Sequence, residues 1–128
     1  MAKPNKSPFK VKQGGDNFRR GVWAESCALL FLLSKGYWPL ARRYKTRDGE
    51  IDLIVRRGRT VAFVEIKSRG DIWAASEANS HYHRKRIAAA ADIFLKNHPG
   101  YWNNYHLRYD EVICVPGKWP VHIISAWS

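Results

Sequence analysis

The apolar positions of this chain follow two different periods, one typical of helices and one typical of strands. Helical spacing predicts a first helix from the N-cap Asp16 to about Lys35, ended by Gly36. An Ala-rich stretch predicts a second helix over 80–97, which stops before Pro99. The faces expected to pack on a sheet are Trp23, Cys27, Leu30, Phe31 and Ser34 on the first helix, and Ile87, Ala91, Phe94 and Leu95 on the second.

Runs of strand-forming residues fill the remaining chain. They predict strands over 37–44, 51–55, 61–67, 108–115 and 121–127. Pro39 places the first strand at an edge of the sheet or delays its start. Residues 56–60 join the second and third strands as a hairpin. The order of helix, three strands, helix and two strands predicts a mixed sheet flanked by helices.

Length and charge indicate one globular domain with a basic surface. The 128 residues are 45% hydrophobic, which suffices for a real core. Residues 1–15, rich in Lys, Pro and Gly, predict a disordered basic arm in front of a single domain over 16–128. The formal net charge of +11 favours a polyanionic partner such as a nucleic acid, although a merely soluble basic protein is the alternative.

The sequence shows no sign of export or of membrane insertion. The charged N-terminus is not followed by the apolar stretch of a secretory signal, and the apolar residues 28–33 are too few to span a bilayer. Cys27 and Cys114 lie in apolar stretches without the spacing of a zinc site, which indicates buried free thiols. We therefore expect a cytoplasmic protein that does not engage a membrane.

Two carboxylates interrupt the most apolar strands. Asp52 lies within the run 51–55 and Glu65 within the run 61–67. Burying an unpaired charge costs several kcal/mol, so a cation is expected beside them. A divalent metal is the strongest candidate, and a structural salt bridge with Lys67 or a nearby Arg is the alternative.

The register of the hairpin decides how these two carboxylates meet. Pairing Arg57 with Thr60 puts Asp52 directly opposite Glu65, whereas pairing Arg56 with Arg59 puts Asp52 diagonal to Glu65. Asp52 would share its face of the strand with Glu50 and Ile54, opposite to Ile51, Leu53 and Val55. In either register one cation reaches both carboxylates, but a one-residue slip separates them.

The residue types suit phosphodiester chemistry. Carboxylate oxygens are ligands for Mg²⁺ or Mn²⁺, which also engage a substrate phosphate. Lys67 faces the same way as Glu65 and would orient a water or neutralise charge that gathers on the phosphate.

These motifs carry a family resemblance. Asp52 followed by Glu65-x-Lys67 resembles the D…(D/E)-x-K signature of the restriction-endonuclease-like superfamily. The blocks GEIDLI (49–54) and FVEIKSR (63–69), with Glu25 upstream, resemble the YraN-like family, small bacterial proteins similar to archaeal Holliday junction resolvases. The resemblance extends from about residue 21 to 115. It implies a restriction-endonuclease-like α/β fold with a mixed central sheet of about five strands flanked by helices.

The resemblance also implies roles for particular residues. Asp52, Glu65, Lys67 and Glu25 would be catalytic, and Asp52, Glu65 and the backbone carbonyl of Ile66 would hold Mg²⁺ or Mn²⁺. For Glu25 an ordinary exposed helix position is the alternative. By analogy with resolvases, the protein would act as a homodimer.

The basic clusters suit phosphate contacts. The residues expected to bind nucleic acid are Arg43, Lys45, Arg47, Arg69, Arg84, Lys85 and Arg86. His83 stands where the family, as aligned, usually has a lysine. The leading hypothesis is a metal-dependent endonuclease acting on DNA, including branched or junction DNA. A non-catalytic nucleic-acid-binding protein that retains a nuclease fold is the alternative, and an RNA substrate is a further one.

Overall fold

The computed structural model describes residues 8–68 and 77–127 of the chain. Its elements are α1 (Pro8–Ser34), β1 (Trp38–Lys45), β2 (Glu50–Arg57), β3 (Thr60–Ser68), α2 (Glu77–Asn97), α3 (Pro99–Asn104), β4 (His106–Cys114) and β5 (Val121–Trp127). The predicted order of two long helices and five strands is confirmed. The short helix α3 is an addition, and it begins at the proline that was predicted to end α2. None of the helices in these two ranges has the length and apolarity that crossing a membrane requires.

Helix α1 begins earlier than the sequence predicts. It starts at Pro8 rather than after Asp16. Proline is favoured at the first helical position, because the N–H that it lacks would have no partner there. Residues 8–15, which the sequence assigned to the basic arm, are therefore helical, and residues 1–7 lie outside the described ranges.

The five strands form one mixed sheet in the order β1-β2-β3-β4-β5. Only β3 and β4 run parallel; the other neighbours are antiparallel. Strand β1 lies at an edge, with a register shift between Pro39 and Ala41, so the edge position inferred from Pro39 is confirmed. Strands β3 and β4 run parallel because the long connection between them, which contains α2 and α3, returns the chain to the end of the sheet where β3 begins.

Each face of the sheet carries its own core. On one face, Ala24, Ala28 and Leu32 of α1 pack against Leu53, Val55, Ala62, Val64, Val112 and Cys114. On the other, Ile87, Ala90, Ala91, Phe94 and Leu95 of α2 pack against Ile51, Ile54, Val61 and Phe63. The predicted apolar face of α2 is confirmed.

The predicted apolar face of α1 is wrong in part. Trp23 and Leu30 are 37% and 67% exposed, whereas Ala24, Ala28 and Leu32 are almost completely buried. The small alanine side chains let the helix approach the sheet closely, and this places Trp23 and Leu30 on the outer side. The chosen face was therefore rotated by about one residue, or 100°.

The β2–β3 hairpin has the register that brings the two carboxylates together. Arg57 pairs with Thr60 around a two-residue turn. Gly58 adopts a φ of 61°, the left-handed conformation that such a turn requires at its first position. The same register ends with Leu53 opposite Val64, so Asp52 and Glu65 are the next residues along the two strands.

Candidate active site

Asp52 lies where the ladder between β2 and β3 ends. Its Oδ2 accepts a hydrogen bond of 2.8 Å from the backbone N–H of Ile66, beyond the last strand pair. The strand alternation also breaks here, because Ile51 packs with Ile54 in the α2 core and not with Leu53 in the α1 core. The predicted grouping of Ile51 with Leu53 is therefore wrong. A side chain takes the place of a strand partner at this point, so β2 turns relative to β3.

The surroundings of Asp52 disfavour its charge. Burial, followed by the carboxylates of Glu65, Glu50 and Glu25, raises the pKa of the carboxyl to about 6, against the lowering effect of the Ile66 N–H. No salt bridge joins Asp52 to a basic side chain within residues 21–68 and 81–127, whose side chains the structure describes. Among the side chains that the structure describes, Asp52 is therefore a carboxylate of the site without a salt-bridge partner, unlike Glu25 and Glu111.

An open cleft of about 190 Å³ borders Asp52. Its lining comes from α1, β1 and β2 and consists of Glu25, Arg43, Lys45, Glu50, Ile51 and Asp52. Buried Gly49 directly precedes Glu50 of the cleft, and a Cβ at Gly49 would lie 1.8 Å from the Arg86 carbonyl oxygen of α2. Only glycine lets α2 come this close to the start of β2, the strand that carries Glu50 and Asp52.

Glu25 enters this cleft from α1. It lies on the helix side of Leu29 and Leu32, the side that faces the sheet, and its side chain is 20% exposed. Arg43 donates from Nε to its Oε2 at 2.5 Å, and an Arg42 nitrogen lies 3.9 Å from its Oε1. The structure thus brings Glu25 to the site, as the resemblance implied, but with arginines as its partners.

Glu65 and Lys67 lie on the α2 side of β3, and each has an ionisable side chain of a neighbouring element beside it. His83 Nδ1 of α2 is 3.7 Å from Glu65 Oε2, a salt bridge only when the imidazole is protonated. Lys67 Nζ is 3.7 Å from Glu111 Oε2 on β4. His83 therefore lies beside one of the two carboxylates that the sequence predicted to hold a metal.

Glu111 is the site residue that sequence reasoning missed. It is the direct partner of Glu65 in the parallel β3–β4 register, and its side chain is 12% exposed. Since parallel partners point to the same face, the two carboxylates flank Lys67 together. The sequence contained a signal, a carboxylate in an apolar run, but only the strand pairing shows which residue it faces.

The described residues do not form a ready metal cage. Within residues 21–68 and 81–127, whose side chains the structure describes, no group of three or more His, Cys, Asp and Glu side chains has a metal-binding arrangement. Asp52 and Glu65 are two carboxylates on adjacent strands, and Ile66 already uses its N–H on Asp52. An ion held there would complete its shell with backbone and water oxygens, as Mg²⁺ commonly does.

The residues predicted to bind nucleic acid fall into two described groups. Arg43 and Lys45 line the cleft, with Arg47 exposed nearby in the chain. On α2, Lys85 is exposed, while the guanidinium groups of Arg84 and Arg86 lie 5.7 and 6.0 Å from the aromatic rings of Trp127 and Tyr82. Arg69 lies outside the described residues.

A second buried aspartate, Asp110 of β4, has the opposite environment. Its carboxylate accepts hydrogen bonds from Arg108 at 2.8 and 2.9 Å, from His122 at 2.8 Å and from the Ser125 N–H at 3.0 Å. Burial alone would raise the pKa of Asp110, but the bonds from His122, Arg108 and Ser125 outweigh it and lower the pKa to about 2. Lys35 Nζ in turn lies 2.6 Å from His122 Nδ1. This network joins the end of α1 to β4 and β5.

The chain is similar to proteins of one family. Residues 24–115 match the uncharacterised protein family UPF0102. A UPF0102 protein of Mesorhizobium japonicum is 47% identical over 110 residues, which cover 86% of this chain and 87% of that protein. One from Methylorubrum extorquens is 49% identical over 109 residues, 85% and 84% of the two chains. One from Rhodopseudomonas palustris is 41% identical over 128 residues, 100% of this chain and 98% of that one.

Proposed function

The chain belongs to the uncharacterised protein family UPF0102, and from the geometry of its site we propose that it is a metal-dependent endonuclease with a restriction-endonuclease-like fold. It would hydrolyse phosphodiester bonds in DNA, including branched or junction DNA. The observation that carries the proposal is Asp52, a half-buried carboxylate next to Glu65 at the point where β2 and β3 separate. A raised pKa that comes from burial and neighbouring carboxylates, in a cleft, is typical of functional sites.

The donors of the site fit a hard divalent cation. Asp52, Glu65 and the backbone carbonyl of Ile66 would hold Mg²⁺ or Mn²⁺, because these ions accept a few oxygen ligands and keep several waters. Such an ion would polarise the scissile phosphate and lower the pKa of a bound water. The negative charge around Asp52 supplies the attraction for it.

The basic side chains around the site suit a phosphate backbone. Lys67, held at 3.7 Å from Glu111, lies beside Glu65 and would stabilise negative charge that gathers on the phosphate during attack. Arg43 and Lys45 in the cleft, together with exposed Lys85, would attract the backbone without reading sequence. We place the protein in the cytoplasm, where Cys27 and Cys114 stay reduced, and expect it to act as a homodimer.

Cleavage of labelled four-way junction, flap and duplex DNA in Mg²⁺ or Mn²⁺ tests the proposal. We expect metal-dependent cutting that Asp52→Asn and Lys67→Ala each reduce by about 10²-fold or more. Lys118→Ala, in the exposed turn before β5, removes the same charge as Lys67→Ala and should cut like the wild type. Cutting that survives both site substitutions would mean that the active site lies elsewhere.

The alternative, a nucleic-acid-binding protein without catalytic turnover, predicts different results in these assays. It predicts tight, salt-dependent binding with no cutting of any substrate, and binding that Asp52→Asn does not weaken. Comparing junction, duplex, single-stranded DNA and RNA in the same binding assay separates a DNA from an RNA partner.

A further inference from the structure

Arg43 has a backbone conformation that is unusual for its residue type. Its φ is 50°, in the left-handed region that non-glycine residues rarely adopt. Such outliers persist only where the surroundings hold them, and they cluster at functional sites. Arg43 lies in the edge strand β1, so no second neighbouring strand forces this conformation upon it.

The Arg43 guanidinium has a defined partner, the carboxylate of Glu25. Nε donates to Glu25 Oε2 at 2.5 Å, although the side chain of Arg43 is 49% exposed and that of Glu25 is 20% exposed. The adjacent Arg42 also reaches Glu25, at 3.9 Å. An exposed ion pair contributes little to stability, so the pair by itself does not account for a strained backbone.

The ion pair leaves most of the guanidinium available. Glu25 engages Nε, and among the described residues no hydrogen bond engages the two terminal nitrogens of Arg43. Arg43 also lines the cleft beside Asp52, and the negative charge of Asp52 is among the effects that raise the pKa of Arg43. A guanidinium fixed from behind by a carboxylate is preorganised, and its planar edge matches two phosphate oxygens.

We propose that Arg43 is a phosphate-positioning residue of this site, and that Glu25 acts by holding the Arg43 guanidinium rather than by ligating a metal. The inference rests on the proposed function in that it takes the phosphate backbone of a nucleic acid as the ligand. It changes the role of Glu25, for which the resemblance implied a contact with the metal. Its partner Arg43 becomes the group that fixes the substrate over Asp52.

Binding of a labelled four-way DNA junction in EDTA, at several salt concentrations, measures the Arg43 contact without metal or turnover. We expect Arg43→Ala to weaken binding about tenfold and to reduce the salt slope by about one. Lys96→Ala is the control, because it also removes one positive charge. Lys96 lies in the last turn of α2, about 20 Å along the helix from His83, which lies beside Glu65 of the site, so this variant should match the wild type. Arg43→Lys should fall between, since it keeps the charge but not the planar edge.

The role of Glu25 is tested in the same assay. If Glu25 acts through Arg43, Glu25→Gln weakens junction binding in EDTA and adds nothing when Arg43 is already Ala. If Glu25 instead ligates a metal, Glu25→Gln leaves binding in EDTA unchanged and raises the Mg²⁺ concentration needed for half-maximal cleavage. That second result would overturn the positioning role.

The outcomes separate this inference from the proposed function. A wild-type protein that binds neither DNA nor RNA overturns both. A wild type that binds, with Arg43→Ala no weaker than Lys96→Ala, overturns only the role of Arg43. Arg43→Gly guards against misfolding, because glycine suits a φ of 50°, and it should lose the same binding as Arg43→Ala.

Discussion

Asp52 and Asp110 are two aspartates of one sheet, and their surroundings shift the pKa of the two carboxyls in opposite directions. Asp110 is 0% exposed, yet its pKa falls to about 2, because Arg108, His122 and the Ser125 N–H bind its charged form. The side chain of Asp52 is more accessible to solvent, yet its pKa rises to about 6, because burial and then the carboxylates of Glu65, Glu50 and Glu25 raise it and only the Ile66 N–H lowers it. Burial raises the pKa of both carboxyls, so the number and charge of their hydrogen-bond partners decide why the pKa of Asp110 is low and that of Asp52 is high.

The difference separates a structural carboxylate from a functional candidate. The Asp110 carboxylate links β4 to β5, because it accepts hydrogen bonds from His122 and Ser125 of β5 and from Arg108 of β4. At Asp52 the described side chains supply no salt-bridge partner. Such a carboxylate costs stability in the free protein and would regain it on binding the proposed cation.

The largest expected effect is the loss of the Asp110 network. Asp110→Asn should lower the free energy of unfolding by about 3–5 kcal/mol, because it leaves the partly buried Arg108 without the counter-charge of completely buried Asp110. Urea unfolding at pH 7 measures this, with the exposed Asp92→Asn as the matched control, expected within about 0.5 kcal/mol of wild type. If the two variants unfolded alike, the network would have no structural role.

Addition of Mg²⁺ should affect the Asp52 region alone. At about 100 times its dissociation constant, a bound ion raises the free energy of unfolding by about 2.7 kcal/mol. Thermal unfolding with MgCl₂, compared with NaCl at equal ionic strength, should show this rise in the wild type and a much smaller one in Asp52→Asn. An equal rise in both proteins would place the ion away from Asp52.

Removing the charge of Asp52 should stabilise the metal-free protein. A carboxyl whose pKa is raised from 3.8 to about 6 binds its proton more tightly in the folded state, so its ionisation opposes folding. We expect Asp52→Asn to be more stable than wild type by about 1–3 kcal/mol at pH 8 in EDTA, measured by urea unfolding. A destabilised variant would mean that the Ile66 bond to the carboxylate outweighs its charge.

The two aspartates should also have opposite pH dependences. The penalty from Asp52 appears as the pH rises from 3.8 to about 6, so the advantage of Asp52→Asn should vanish below that range. The contribution of Asp110 is present above 3.8 and is lost as the pH falls toward about 2. Unfolding of the wild type and both variants across pH 2–8 measures both; parallel curves would remove the distinction.

The smallest expected effect concerns the two strained residues, one in each region. Arg43 and Ser125 have φ values of 50° and 54°, which glycine adopts without strain. Ser125→Gly and Arg43→Gly should each raise the free energy of unfolding by up to about 1 kcal/mol. Only Arg43→Gly should weaken DNA binding, and an equal loss in Ser125→Gly would deny Arg43 a specific role.

Much of the fold was predictable from local patterns. The strands, α2 and its apolar face, and the edge position of β1 follow from periodicity, turn residues and Pro39, which act over a few neighbouring residues. The start of α1 and its buried face were not predicted correctly. A helix with bulky residues on several sides has no unique apolar face until the sheet selects the one that approaches closest.

The site divides along the same line. By itself the sequence determined that Asp52, Glu65 and Lys67 occupy neighbouring strands, since these positions follow from strand period and a short hairpin. Tertiary structure alone decided that Glu111 forms an ion pair with Lys67 and that Glu25 forms one with Arg43. It also decided that the charge of Asp110 is balanced by basic partners, whereas that of Asp52 is not. The physical reason is that charge–charge energies depend on distances through space, which the parallel β3–β4 pairing and the packing of α1 set and no short stretch of sequence encodes.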